Sequence, residues 1–283
     1  MNNIQLKPLS SRNFLETLDF LKKNEKFCVS LTSHFLKNRK PCFPDKNIHC
    51  WVLETNHIEG IFAISDYGLL LQYIPLTAND VSMEVANKIA KIIKHYPLYC
   101  LTGIAKGCDF FRQILDMTER ELIAFQLMEL QKELPTPLLT KNWISIQKAT
   151  IDDLDEIFPL QKKYELEEVI PQWDEFNEKN CKIHLRAILK KNIHFILKEY
   201  GNSIAKVGTN AEGFHYVQLG GMYTVPEKRQ QGYATVLLEQ FLIYLNKKGY
   251  KTVLFVKNAN KNAYSLYKKI GFDSIADFSI VYY

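Results

Sequence analysis

Several features that would place a chain in a class at once are missing from these 283 residues. No run approaches the roughly 18 apolar residues that a membrane span requires. Residues 1–14 lack the basic start and apolar core of a secretion signal, so a cytoplasmic protein without membrane contact is expected. The six cysteines (Cys28, Cys42, Cys50, Cys100, Cys108, Cys181) form no Cys-x-x-Cys pair, and no histidine neighbours them at metal-ligand spacing. That excludes the common zinc patterns and leaves reduced, mostly buried thiols. Low-complexity tracts and long blocks of one charge are also absent, which argues against disorder. The 36 basic residues exceed the 31 acidic ones only slightly and are scattered through helical-looking segments. Scattered lysines read as solvated helix faces rather than a nucleic-acid surface, although a mild positive field still attracts an anionic cofactor.

What is present is enough chain, at 47% hydrophobic residues, for two cores of ordinary size. The boundary falls where a strand-like run at 122–128 gives way to Gln131, Lys132, Glu133, Leu134, Pro135, Thr136 and Pro137, since two prolines two apart disfavour helix or a central strand. The expected organisation is therefore a first domain over 1–130, a linker over 131–142 and a second domain over 143–283.

In the second domain, 143–148 reads as a strand. Thr150, followed by Asp152, Asp153 and Asp155, reads as a capped helix start running to about Glu167. A helix is expected over 173–191, then strands over 193–200, 203–209 and 215–225. Ala234, Leu237, Leu238, Phe241, Leu242 and Leu245 recur at three- and four-residue steps, which predicts an amphipathic helix over 233–248 closed by Gly249. A buried strand at 251–257, a helix at 260–270 ended by Gly271 and a strand at 279–283 complete a mixed α/β sheet. The first domain repeats this order in weakened form. Its helices are expected near 11–23, 31–38, 82–94 and 109–116, with strands near 50–55, 59–66, 68–75, 99–105 and 122–128. An offset of about 150 residues superimposes the halves, as a duplication would.

The sharpest local feature is Val225-Pro226-Glu227-Lys228-Arg229-Gln230-Gln231-Gly232-Tyr233-Ala234, between a strand and the amphipathic helix. Downstream lies Asn258-Ala259-Asn260-Lys261-Asn262-Ala263-Tyr264-Ser265-Leu266-Tyr267-Lys268-Lys269-Ile270-Gly271-Phe272. In these two blocks the C-terminal half resembles the GCN5-related N-acetyltransferase (GNAT) family. That family's acyl-CoA loop reads Arg or Gln, two residues, Gly, one residue, Gly or Ala, and a later helix ends Leu-Tyr-x-x-x-Gly-Phe. The resemblance implies the acyl-CoA N-acyltransferase fold in two tandem copies. At the matching place the N-terminal half has Pro75-Leu76-Thr77-Ala78-Asn79-Asp80-Val81-Ser82, with an aspartate where phosphate would sit, so it reads as a degenerate copy.

What the resemblance implies about residues has a physical side. A helix's first turn offers unpaired N–H groups and a positive dipole end, which suit a pyrophosphate. Arg229, Gln230, Gln231, Gly232, Tyr233 and Ala234 would cradle acetyl-CoA there, while Met222, Tyr223, Thr224 and Val225 would line the pantetheine arm. One of their backbone N–H groups could polarise the thioester carbonyl. Asn258 and Asn262 match cofactor-reaching positions, or else are a turn residue and an exposed helix residue. Tyr267 matches the family's proton donor to the departing thiolate, or is a core tyrosine beside Ala263, Leu266 and Ile270. Glu167 and Glu168 are candidates to take the amine's proton, or belong to a solvated charge run with Glu165.

The expected activity is acetyl transfer from acetyl-CoA to a primary amine, on a small molecule or a protein, by direct attack. The alternative is a non-catalytic acyl-CoA sensor. A monomer or homodimer is expected, with no nucleic-acid or metal partner.

Overall fold

A computed structural model describes residues 4–132 and 143–283. The expected linker, apart from Gln131 and Lys132, lies outside the described residues. The first half contains β1 (Gln5–Pro8), α1 (Phe14–Asn24), α2 (Val29–Thr32), β2 (Leu36–Lys37), β3 (Lys40–Pro41), β4 (Ile48–Glu54), β5 (Ile58–Ser65) and β6 (Leu69–Tyr73). It continues with α3 (Met83–Ile93), β7 (Cys100–Ile104), α4 (Ala105–Leu115) and β8 (Glu121–Leu130). The second half contains β9 (Ile144–Lys148), α5 (Leu154–Tyr164), a π-helical turn (Glu165–Val169), α6 (Glu178–Lys191), β10 (His194–Glu199), β11 (Asn202–Glu212) and β12 (Tyr216–Thr224). It ends with α7 (Tyr233–Lys247), β13 (Lys251–Lys257), α8 (Lys261–Ile270) and β14 (Phe272–Tyr282).

One mixed 12-stranded sheet runs through the molecule in the order β1-β4-β5-β6-β7-β14-β8-β13-β12-β11-β10-β9. Parallel pairing occurs between β6 and β7 and between β12 and β13, at matching places in the two halves. The last strands are exchanged. β14 ends the chain yet pairs with β7 of the first half, Phe278 opposite Ile104 through Tyr282 opposite Cys100. β8 pairs with β13 of the second half, and β14 and β8 pair with each other. The cores follow the exchange. Val281 is buried with Ile89, Phe110 and Phe111 of the first half, and Met128 is buried with Leu237, Phe241 and Leu254 of the second. Glu25 reinforces the junction by accepting backbone N–H bonds from Phe214 and His215.

The mixed α/β class and the alternation of elements follow the sequence pattern. α7, β13 and α8 fall where apolar spacing puts them, because each buries a stripe or strand of the residues named above. Four expectations are corrected. The helix expected from 173 begins at Glu178, since the Asn177 side chain caps it by accepting from Asn180 N–H (2.9 Å). Trp173 is held in a loop by edge-on contact with Tyr99 and Tyr282 and by donating to Glu121 (2.9 Å), and Ile183 is exposed rather than buried. The helix expected at 31–38 is only the short α2 and a 3-10 turn, because the chain reverses through Asn38 and Arg39 at positive φ. β14 starts at Phe272 instead of 279, and β1 was not anticipated at all. Five of the six cysteines are buried and all are free.

Candidate active site

β12 and β13 pair over only three positions, Tyr216 to Gln218 against Lys251 to Val253. β12 then continues to Thr224 bonded on its other side to β11, while β13 continues to Lys257 bonded to β8. The two strands part, and a wedge-shaped cleft opens between them past Gln218. The β11 side of β12 is bulged, with register shifts opposite Lys206/Gly208 and Thr209/Ala211. Gly221 lies in this bulge at φ 61°, where a side chain would be strained and would press on the Lys206 ammonium.

The chain leaves β12 through a 3-10 turn, Pro226–Lys228, into the loop expected to meet phosphate. Arg229 donates from Nε to the Thr224 carbonyl (2.9 Å). Gln230 and Gly232 take positive φ values of 61° and 86°. Gln231 Nε2 donates to the Glu227 carbonyl (3.1 Å). Gly232 caps α7 with no side-chain hydrogen bond, and no atom lies within 4 Å of where its Cβ would be. The first-turn N–H groups of α7 are therefore free of a side-chain cap, beside an open position at Gly232. Tyr233 and Ala234 are half-buried, and the Tyr233 hydroxyl donates to Glu199. Along the strand, Met222 is half-buried and Tyr223, Thr224 and Val225 are buried. The Thr224 hydroxyl is buried with no hydrogen-bond partner among the described residues.

The π-helical turn after α5 is tied to this segment through Glu167 and Glu168, while Glu165 is buried against Gln161. Glu167 accepts from the Tyr223 hydroxyl (2.6 Å) and pairs with Arg229 (2.7 Å). Burial pushes its carboxyl up, but those two bonds outweigh burial and hold it below the usual carboxylate range. Glu168 accepts from Asn260 Nδ2 (3.2 Å) and faces Lys257 (3.6 Å), which also donates to the Glu168 carbonyl (2.6 Å). Tyr267 is buried on α8, and burial, with Tyr164 and Glu168 adding to it, pushes its phenol well above the ordinary range. Asn258 and Asn262 are both exposed, and it is Asn260 between them that bonds into the site while capping α8.

The structure thus brings Tyr223 and Arg229 of the 222–234 segment, Glu167, Glu168 and Tyr267 close together and leaves the Asn258 and Asn262 side chains exposed. Sequence reasoning missed Asn260, Tyr164 and Lys206. Lys206 had a signal: it is the charged residue in the apolar run Ile204-Ala205-Lys206-Val207, and such a lysine is buried only with a reason.

A family model described as FR47-like protein matches residues 202–280, the span from β11 through most of β14. A tandem GNAT protein from the clavulanic acid biosynthesis pathway aligns over 99% of this chain and 98% of its own, with TM-score 0.62 and 11% identity. The fold is that of a tandem GCN5-related N-acetyltransferase. Similar GNAT-type coverage comes from a Sphaerobacter thermophilus GCN5-related N-acetyltransferase, 98% of this chain and 94% of that one at TM-score 0.62 and 12% identity. A Drosophila protein aligns over 98% and 97% at TM-score 0.65 and 14% identity. No curated protein matches the sequence.

Within the GNAT architecture the two halves differ at the place where the strands part. In the first half Gln72, at the end of the β6–β7 pairing, fills the gap. Its amide donates to the Ile104 carbonyl (2.9 Å), accepts from Ile74 N–H (2.9 Å) and packs on Gly103 and Gly107. The following helix, α3, is capped by the Ser82 side chain, and Asp80 closes a capping box on Thr77 just before it. The first half thus has a plugged gap and a side-chain-capped helix start at the place where the second half has a helix start without a side-chain cap. A groove of about 630 Å³, lined by residues of 33–45 and by Lys191 and Tyr250, lies at the opposite ends of β12 and β13. Lys191 there ends α6, an ordinary place for a cation.

Proposed function

We propose that the chain is an N-acetyltransferase that moves an acetyl group from acetyl-CoA to a primary amine by direct attack. The observation that carries this reading is the parting of β12 from β13 directly ahead of a glycine-capped, side-chain-uncapped helix. The residues fit the cofactor: β12 has an orphaned hydroxyl at Thr224, and the loop has space at Gly232 for a phosphate to approach backbone. Acetyl-CoA supplies an activated thioester.

The chain's own groups do the rest. The N–H groups at the start of α7 hold the pyrophosphate, and Arg229 turns from Glu167 towards it. Thr224 and the free edge of β12 orient the pantetheine arm. The Met222 N–H polarises the thioester carbonyl. Tyr267, kept protonated by burial, donates to the departing thiolate, whose conjugate acid has a pKa of about 8.5. Glu168, with Glu167 beside it, takes the acceptor's proton. Thiol release from acetyl-CoA against a panel of primary amines tests the reading. Turnover with at least one amine class is expected, and saturable binding without turnover on any would overturn it.

One observation favours a second reading, an acyl-CoA sensor: Glu167 and Glu168 are both engaged by cations, which weakens them as bases. Tyr267→Phe separates the two readings, since only an enzyme loses turnover while keeping cofactor affinity.

A further inference from the structure

Lys206 on β11 is a lysine only 3% exposed, and its neighbour Glu165 is bonded to Gln161 (2.8 Å) rather than to it. Its Nζ donates to the Gly221 carbonyl (2.8 Å) and lies 4.3 Å from the centre of the Tyr164 ring. The bulge makes this possible, because a side chain at Gly221 would press on the ammonium. No cis peptide occurs among the described residues. The carbonyl of Gly221 and the N–H of Met222 belong to one trans peptide, so they point in opposite directions. The carbonyl faces β11 and Lys206. The Met222 N–H therefore faces the side where β13 has parted from β12. Strand alternation gives the same answer: Val225 donates its N–H to Ile204 on β11 (3.0 Å), so N–H groups an odd number of residues away point towards the cleft.

We propose that Lys206 is a positioning residue that polarises the Gly221–Met222 peptide, strengthening the Met222 N–H as a hydrogen-bond donor to the thioester carbonyl. A charged donor on the oxygen of an amide withdraws electron density from its N–H, and in a dry site such chains of hydrogen bonds reinforce one another. This role deepens the acetyl-CoA reading and rests on it. It also makes the polarisation depend on pH. Burial pulls the Lys206 ammonium down to about 7, with Glu165 and Cys181 opposing. The groups that face it are Tyr164 at the end of α5, Glu165 in the π-helical turn, Cys181 from α6 and His194 from β10, with His184 of α6 against Glu165 and His194. Burial holds the Tyr164 phenol and the Cys181 thiol up at about 12 and the His194 imidazole down at about 3, and Glu165 is held below its usual range. Those four do not change charge near pH 7. His184, 3.8 Å from Glu165, is controlled separately by variant.

Isotope-edited infrared difference spectroscopy of carbonyl-labelled acetyl-CoA bound to the full chain tests this role. The thioester band of the bound cofactor should lie at lower frequency at pH 6 than at pH 8.5, with a midpoint near 7. The displacement should survive His184→Gln and vanish in Lys206→Met, with cofactor affinity unchanged within about twofold. In the same variant kcat should fall by on the order of tenfold at unchanged KM for acetyl-CoA. If Lys206→Met does not fold, the pH titration of the unaltered chain still decides. A bound band that moves with neither pH nor Lys206→Met overturns the role while leaving the acetyl-CoA reading intact. Failure of the unaltered chain to bind acetyl-CoA removes both.

Discussion

Arg229 and Glu167 form an ion pair of 2.7 Å that ties the loop before α7 to the π-helical turn after α5. The cation expected to meet phosphate is therefore already neutralised by a side chain. Both partners are well exposed, and such pairs contribute less than about 1 kcal/mol. Exchange of the carboxylate for a phosphate is therefore easy. Glu167→Gln should bind acetyl-CoA equally well or up to about fivefold more tightly in calorimetry. A marked loss of affinity would show that the pair builds the site rather than guards it.

Gly232 and Gly201 provide a matched pair of substitutions. Both have φ above 80° and neither would place a Cβ within 4 Å of another atom, but only Gly232 lies at the start of α7. Alanine at either should destabilise the chain by about 1 kcal/mol through left-handed strain. Only Gly232→Ala should also weaken acetyl-CoA binding, by tenfold or more. Equal binding by both variants would remove the phosphate role of the loop.

Tyr267→Phe removes one hydroxyl from a packed side chain whose ring lies 5.9 Å from Phe272. Thermal stability should change little, since the ring stays in place. Turnover should fall by about 10²-fold, the range of a lost general acid, with cofactor affinity retained. Steady-state kinetics beside calorimetry checks both numbers.

Lys206 also makes a stability prediction with a definite sign. Its folded pKa of about 7 lies below the value of about 10.4 for an exposed lysine, so between these limits the unfolded chain binds more protons. Stability then rises with pH across that window, by at most about 1.4 kcal/mol per unit. Lys206→Met should raise the melting temperature most below pH 7, and the gain should shrink as pH approaches 10. A gain independent of pH would mean that the lysine stays charged when folded.

The strand exchange predicts that the halves depend on one another. A fragment of residues 143–283 leaves β13 and β14 without β8 between them, and a fragment of residues 1–132 leaves β7 and β8 without β14. Each exposes unpaired strand edges and apolar side chains. The fragments should be unstable or aggregate when made separately and should copurify when made together. Independent cooperative unfolding of either one would contradict this.

Much of this was legible in the residues. Periodic leucines announced α7, a short apolar run announced β13, and the loop at 229–234 stood out because Gly232 and Arg229 sit at a strand-to-helix turn. The exchange of β8 and β14 was not legible, since alternation tells which face of a strand is buried but not which strand lies beside it. The start of α6 was misplaced because Trp173 and Phe176 continue an apolar rhythm, while the deciding signal was the Asn177 cap. In the site, the two asparagines that match the family pattern are exposed, and the bonding falls to Asn260, chosen by its capping position. Lys206 was overlooked for a related reason: its burial depends on a bulge in the neighbouring strand, which no local pattern in β11 records.

The proposed function requires one acyl-CoA site per chain, in the second half. Calorimetric titration of the full-length chain with acetyl-CoA measures it directly. Saturable binding at one cofactor per chain is expected, weakened by Gly232→Ala and unaffected by substitution of Gln72, which plugs the matching gap in the first half. A stoichiometry of two, or no saturable binding, would contradict it.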